Sequence, residues 1–190
     1  MPDSLRGQFL IAGRNLRDPN FFQSVVLVVE HGDGGAMGVV VNRPSGVTVA
    51  EALKNHFELP ESGEMVYVGG PVEHNALFIL HNADDLDGSE KPVIDGVYVG
   101  SSPDTFESIV KRAAEGADEL KFRVYFGCAG WGPDQLEGEL ARSDWLVIPA
   151  AVNYVYHPDP YEVWKLMVAE YTRANPLWPG LGTEGNPELN

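Results

Sequence analysis

The 190-residue chain has one cysteine and no long apolar run. Because Cys128 stands alone, an intramolecular disulfide is excluded, and a reducing compartment is the simpler inference. No segment approaches the roughly 18 consecutive apolar residues of a membrane span, and the N-terminus lacks the apolar stretch of a signal peptide. These absences predict a soluble cytoplasmic protein that does not associate with membranes.

Basic residues are also scarce. Thirteen lysines and arginines stand against twenty-eight acidic residues, which gives a formal net charge of −15. Proteins that bind DNA do so through clusters of lysine and arginine, and the sequence contains no such run. The charge therefore argues against a nucleic-acid partner and is typical of a solvated acidic surface.

Motifs for metals and cofactors are missing as well. The histidines, the cysteine and the carboxylates show no zinc-ligand spacing. The string from Gly180 to Gly185 matches G-x-G-x-x-G, but no strand precedes it and Pro187 interrupts any following helix. The chain contains neither a P-loop nor a G-x-S-x-G nucleophile elbow. We therefore predict no metal site and no cofactor.

What the sequence does contain is a series of short apolar runs followed by capped helices. The predicted strands are Phe9–Ala12, Val25–Val29, Met37–Val41, Met65–Val68, Ala76–Leu80, Val97–Val99, Leu120–Phe126 and Trp145–Ile148. Four helices are predicted after Thr48, Ser102, Pro133 and Asp159. Because strands and helices do not alternate regularly, the pattern favours an α+β fold. We expect one domain over residues 1–174 and a flexible tail over 175–190.

The densest motif runs from Phe126 to Leu136. It places three glycines, a tryptophan and the only cysteine between an alternating strand and an amphipathic helix. Glycine suits backbone with positive φ or in close contact, so this density predicts a specified turn. In the strand before it, alternation places four residues on one buried face: Leu120, Phe122, Val124 and Phe126.

Several segments together resemble the bacterial YqgE/AlgH family. They are Gly7–Ala12 (GQFLIA), Asp18–Val26 (DPNFFQSVV), Gly35–Pro44 (GAMGVVVNRP), Gly69–Val72 (GGPV), Phe78–His81 (FILH) and Ala129–Leu136 (AGWGPDQL). The resemblance implies an α+β fold with a bent, mostly antiparallel sheet, partly closed into a barrel-like core and flanked by about four helices. Members have no settled biochemistry, and some are labelled transcriptional regulators. Two positions depart from the family pattern: Cys128 replaces a common tyrosine, and Asp134 replaces a frequent glycine.

Six residues are candidates for one ligand cleft: Asn42, Arg43, Gly69, Gly70, Cys128 and Trp131. Arg43 offers a planar donor fork for a carboxylate or phosphate, or it forms a structural pair. Gly69 and Gly70 make either an anion-binding nest or a tight turn. Cys128 is either a thiol activated near a helix N-terminus or a small buried residue. Trp131 either stacks on a ligand or anchors the core.

Three functions remain open, and the sequence establishes none of them. The leading hypothesis is a non-enzymatic binding or regulatory protein acting through a protein partner or small ligand. The second is an uncharacterised enzyme or small-anion binder that uses the cleft near Asn42–Arg43 and Gly69–Gly70. The third is a DNA-binding regulator, which the net charge of −15 opposes.

Overall fold

A computed structural model of the protein describes residues 4–56, 63–86, 91–117 and 119–177. In this part of the chain the strands are β1 Gln8–Ala12, β2 Val25–Gly32, β3 Gly35–Val40, β4 Pro44–Thr48, β5 Met65–Val68, β6 Val72–His81, β7 Tyr98–Gly100, β8 Phe122–Trp131 and β9 Trp145–Pro149. The helices are α1 Val49–Leu53, α2 Pro103–Ala114, α3 Gln135–Ala141, α4 Val152–Val155 and α5 Val163–Ala174, and a short 3-10 helix spans Pro19–Phe21.

The strands form one mixed sheet in the order β4-β5-β8-β3-β2-β1-β9, with β6 paired to β8 and β7 paired to β6. All these pairs are antiparallel except β5 with β8. The α+β prediction is therefore confirmed. The sheet does not close into a barrel, because β4 and β9 stand at its two ends without pairing to each other among the described residues.

Strand β8 runs through the segment that the sequence predicted to be a turn. Its first part lies between β5 and β6, and its last residues, Ala129–Trp131, pair with β3. Gly127 sits between these parts with a φ of 66°, and a Cβ atom there would lie 2.7 Å from the Val72 carbonyl oxygen. The glycines thus let a strand bend and approach its neighbours closely, which corrects the prediction of a turn before Trp131.

Both faces of the sheet are covered. Along β1, Phe9 and Ile11 point to one face, where α4 and α5 pack, and Leu10 and Ala12 point to the other, where the 3-10 helix and α3 pack. A third cluster joins α1 and α2 to β5, β6 and β8. Because two faces are covered, β8 buries Arg123 and Tyr125 as well as Val124. The alternation of apolar residues in the sequence had predicted that only the face of β8 that carries Val124 is buried.

The helix caps confirm two of the predicted helix starts. The Thr48 hydroxyl accepts a hydrogen bond from the Glu51 amide at 3.2 Å, and the Ser102 hydroxyl accepts one from the Thr105 amide at 3.1 Å. Asp134, where the family signature has glycine, precedes α3 with a φ of 60°. That left-handed conformation explains why glycine suits the position.

Three elements were not predicted, and one of them is the 3-10 helix Pro19–Phe21. Strand β4 lacks an apolar alternation because its sequence is PSGVT, and α4 is a single turn of four residues. Helix α5 ends at Ala174. Most of the segment predicted as a tail, 178–190, lies outside the described residues, and the domain boundary at 174 stays a prediction.

Candidate functional site

Asn42 and Arg43 hold the loop that precedes β2. The Asn42 side chain accepts a hydrogen bond from the Val25 amide at 2.8 Å and donates one to the Gln23 carbonyl at 2.9 Å. The Arg43 guanidinium donates to the carbonyls of Asn20 and Phe22 and to the Ser24 hydroxyl, the last at 2.9 Å. Partial burial lowers the pKa of Arg43 from its ordinary value. Both side chains therefore fix the backbone of this loop.

Gly69 and Gly70 lie against β8. The Gly69 amide donates to the Phe126 carbonyl, and the Gly69 carbonyl accepts from the Val40 amide, both at 2.8 Å. A Cβ atom on Gly70 would overlap the backbone of Cys128. These glycines therefore allow two backbones to touch where β3, β5 and β8 meet.

The thiol of Cys128 is enclosed in the core, with 2% of the residue exposed. Burial, and secondarily the charge of Glu73, raise the pKa of Cys128. A raised pKa reduces the thiolate fraction at neutral pH, which is the reactive form. These surroundings match the interpretation of Cys128 as a small buried residue.

Trp131 belongs to an aromatic cluster organised by one carboxylate. Glu139 Oε2 accepts hydrogen bonds from the indole N–H of Trp131 at 2.9 Å and from that of Trp145 at 2.8 Å. The ring of Phe21 stacks on Trp131 at 6.3 Å and meets Trp145 edge-on at 5.3 Å. Both indoles are buried. Glu139 is a residue that sequence reasoning missed, because its partners lie on β8 and β9 and no spacing in the chain links them.

The structure brings five of the six predicted residues together through their backbones. The Val68 amide donates to the Arg43 carbonyl at 2.8 Å, next to the contacts of Gly69 and Gly70 with β8. Trp131 lies farther along β8, opposite Ala36. None of the six lines the cavities described below, and their common ligand cleft stays a prediction.

The loop that Asn42 and Arg43 hold presents an exposed surface, which we call the Phe22 surface. It consists of Arg14, Leu16, Arg17 and Phe22 of this loop, together with Arg142 at the end of α3. Phe22 is 71% exposed. A cavity of about 660 Å³ adjoins the three arginines, and one of about 280 Å³ adjoins Phe22 and Trp164; both are lined by Arg14 and Leu16. Arg142 forms an ion pair with Asp144 at 2.8 Å.

A third cavity, of about 580 Å³, lies between β4, β5, β8 and the segment before α5. We call it the Arg123 pocket and define it by Tyr67, Arg123, Tyr156 and Tyr161. Arg123 is 8% exposed, and its guanidinium carbon lies 4.5 Å from the centre of the Tyr67 ring. The guanidinium donates to the carbonyls of Val41, Val155 and His157. Sequence reasoning placed no ligand group here, since a lone arginine in an alternating strand indicates an exposed side chain.

Two further properties of the described residues concern metals and membranes. Within the described ranges, no group of three or more histidine, cysteine or acidic residues could hold a metal ion. The helices of the same ranges are all too short or too polar to cross a membrane.

Comparisons with known proteins place the chain in a family. The family model described as AlgH-like, DUF179, matches residues 9–174. A UPF0301 protein of Marinomonas sp. is 40% identical over 160 residues, covering 82% of each chain. One from Thioalkalivibrio sulfidiphilus is 37% identical over 166 residues, covering 85% of this chain and 87% of that protein.

Two solved structures are similar in fold. The solution structure of the AlgH protein from Pseudomonas aeruginosa is 34% identical, covers 89% of each chain and superposes with a TM-score of 0.70. A crystal structure from Corynebacterium diphtheriae, 23% identical with a TM-score of 0.68, covers 86% of this chain and 85% of that one and shares the fold. Together with the matched motifs, these findings show that the chain belongs to the AlgH-like family.

Proposed function

We propose that this protein is a non-enzymatic, cytoplasmic binding protein that exerts a regulatory role by docking a protein partner on the Phe22 surface. The observation that carries the proposal is the 71% exposure of Phe22 on a loop held by Arg43. Exposed aromatic residues beside arginines are characteristic of the few residues that dominate binding energy at interfaces. A loop already fixed in the free protein loses little conformational entropy on binding, which favours affinity.

The charge of the surface indicates the chemistry of the partner. Arg14, Arg17 and Arg142 line the larger cavity together with Asp18, Glu139 and Asp144, so its formal charges balance on a chain whose net charge is −15. An acidic partner segment is therefore repelled less there than by the rest of the surface, and the exposed Arg17 side chain offers it a cation, which gives orientation as well as affinity. The apolar cavity beside Phe22 suits one apolar side chain of that segment. The proposed partner therefore carries an apolar residue flanked by carboxylates.

The test compares affinity capture by the native chain with capture by Phe22→Ser and Arg17→Glu, quantified by mass spectrometry. Tyr161→Ser is the matched control, because Tyr161 is 72% exposed but lies on another surface. We expect one acidic protein to be captured by the native and control chains and lost at least about tenfold with either loop variant. The captured protein is then purified and its Kd measured against the same four chains.

The loop variants change exposed side chains, so their urea midpoints are expected to stay close to the native value. If both variants capture the same proteins as the native chain in the same amounts, the Phe22 surface is not the docking surface and the proposal is wrong.

A further inference from the structure

Arg123 is a buried cation with no acidic partner among the described residues. It is 8% exposed, and its guanidinium donates to the backbone carbonyls of Val41, Val155 and His157. No ion pair joins it to a carboxylate in the described ranges. Buried charges in proteins are normally paired with an opposite charge, because removing an ion from water without one is costly. The three carbonyls and the Tyr67 ring offset part of this cost, and an anion from outside the chain would offset more of it.

The space for that anion adjoins the guanidinium. The Arg123 pocket has a volume of about 580 Å³, within the range of small-molecule sites. Aromatic rings and prolines make up half of its lining residues, among them Tyr67, Phe122, Tyr156 and Tyr161. Its charged lining residues in the described ranges are Arg123, Lys121 and Glu64, so the balance is one positive charge. Such a lining suits a ligand with one negative group and an apolar body.

A second polar group without a partner lies at the wall of the pocket. The Tyr156 side chain lines the pocket, and its hydroxyl is enclosed and makes no hydrogen bond to any described residue. Burial raises the pKa of Tyr156, so the hydroxyl keeps its proton at neutral pH. Leaving a buried hydroxyl unpaired costs free energy, and rotation of the side chain toward an acceptor atom in the pocket would remove that cost.

From these observations we propose that the Arg123 pocket binds a small monocarboxylate with an aromatic or apolar body. The carboxylate pairs with the Arg123 guanidinium and accepts a hydrogen bond from Tyr156, while the rings of Tyr67 and Tyr161 contact the apolar body. Guanidinium and carboxylate match in charge and in planar geometry. This site is separate from the Phe22 surface, so either proposal stands without the other.

The test is a titration of the ¹⁵N-labelled full chain with benzoate, followed by NMR. Benzamide has the same shape without the charge, and inorganic phosphate has the charge without the ring. We expect saturable shifts of the Tyr67, Arg123 and Tyr156 amides with benzoate, and affinities at least about tenfold weaker for the other two probes. Equal affinity for benzamide, tighter binding of phosphate, or no saturable shift at these amides with benzoate overturns the proposal.

Tyr156→Phe supplies the variant that keeps the fold. Removing an unpaired buried hydroxyl leaves the urea midpoint unchanged or raises it, whereas loss of a hydrogen bond to a carboxylate weakens benzoate binding about tenfold to a hundredfold. Tyr154→Phe is the matched control, because its hydroxyl donates to Glu170 at 2.6 Å outside the pocket. If Tyr156→Phe binds benzoate with native affinity, the proposed site is wrong. Arg123→Gln is expected to abolish benzoate binding. If the Arg123→Gln chain does not fold, the result with Tyr156→Phe decides the test.

Discussion

Single side chains with several hydrogen-bond partners do much of the positioning in this protein. Arg43 donates to three groups of one loop, Glu139 accepts from two indoles, and Arg123 donates to three carbonyls. The sequence singled out Arg43 and Trp131 because they sit in motifs. It could not single out Glu139 or Arg123, since their importance arises from strands that are distant in sequence. At the scale of single residues, the sequence therefore identified candidate residues but not their contacts.

Glu139→Ala tests the joint role of this carboxylate. The substitution leaves the buried indole N–H groups of Trp131 and Trp145 without their acceptor. We expect the free energy of unfolding to fall by about 2–6 kcal/mol, since each of the two unsatisfied donors costs about 1–3 kcal/mol. Urea denaturation followed by tryptophan fluorescence measures this free energy, and Glu162→Ala is the control variant. A value within about 0.5 kcal/mol of the native chain would contradict the account.

The enclosure of Cys128 predicts slow chemistry. With the thiol buried and its pKa raised, reaction requires an opening of the structure. We expect the native chain to react with a disulfide reagent at pH 8 at least about a hundredfold more slowly than the chain unfolded in urea. Absorbance of the released thiolate follows both reactions. Rates within a few-fold of each other would show that the thiol is accessible, and would revive a catalytic reading of this residue.

At the scale of elements, the sequence predicted most strands and the capped helices but misplaced the end of β8. Glycine density around Cys128 indicated a turn, whereas the chain continues as a strand bent at Gly127. Local sequence cannot distinguish the two, because glycine serves both a turn and a close approach of backbones. The α+β class was accessible because the apolar runs and caps are local signals. The pairing of β8 with β3, β5 and β6 could not be predicted from the sequence.

Gly70→Ala tests the close approach of β5 and β8. A methyl group at this position would overlap the Cys128 backbone, and the φ of 156° adds strain for any side chain. We expect a loss of more than about 3 kcal/mol in stability, or a chain that does not fold, as for severe overpacking. Gly34→Ala is the matched control, because a Cβ atom there meets nothing within 4 Å. Urea midpoints of the two variants within experimental error of each other would refute the explanation.

At the scale of the whole molecule, charge is the dominant property. The net charge of −15 surrounds a small group of arginines on the Phe22 surface and one buried guanidinium in the Arg123 pocket. The overall field repels polyanions, whereas these local groups suit a carboxylate on a protein segment or a small molecule. The balance between the negative field of the whole chain and these local arginines decides which class of partner binds.

This balance predicts that the protein does not bind duplex DNA. At about 20 mM salt, where phosphate contacts are strongest, we expect no retarded band in a gel-shift series with a mixed-sequence duplex. The informative control is an Arg14→Glu, Arg17→Glu double variant. A salt-sensitive complex formed by the native chain and lost in this variant would show that the arginines outweigh the field, and DNA control would become the leading function.

Strand β8 also determines how the molecule can come apart. Its ten residues pair with β5 and β6 through one part and with β3 through the other. Because the same strand belongs to both halves of the sheet, the halves cannot separate without breaking hydrogen bonds of β8. Strands β2 and β6 do not pair with each other but share one core cluster, so their amide protons should exchange with deuterium through one shared opening, and a denaturant should release them at the same concentration.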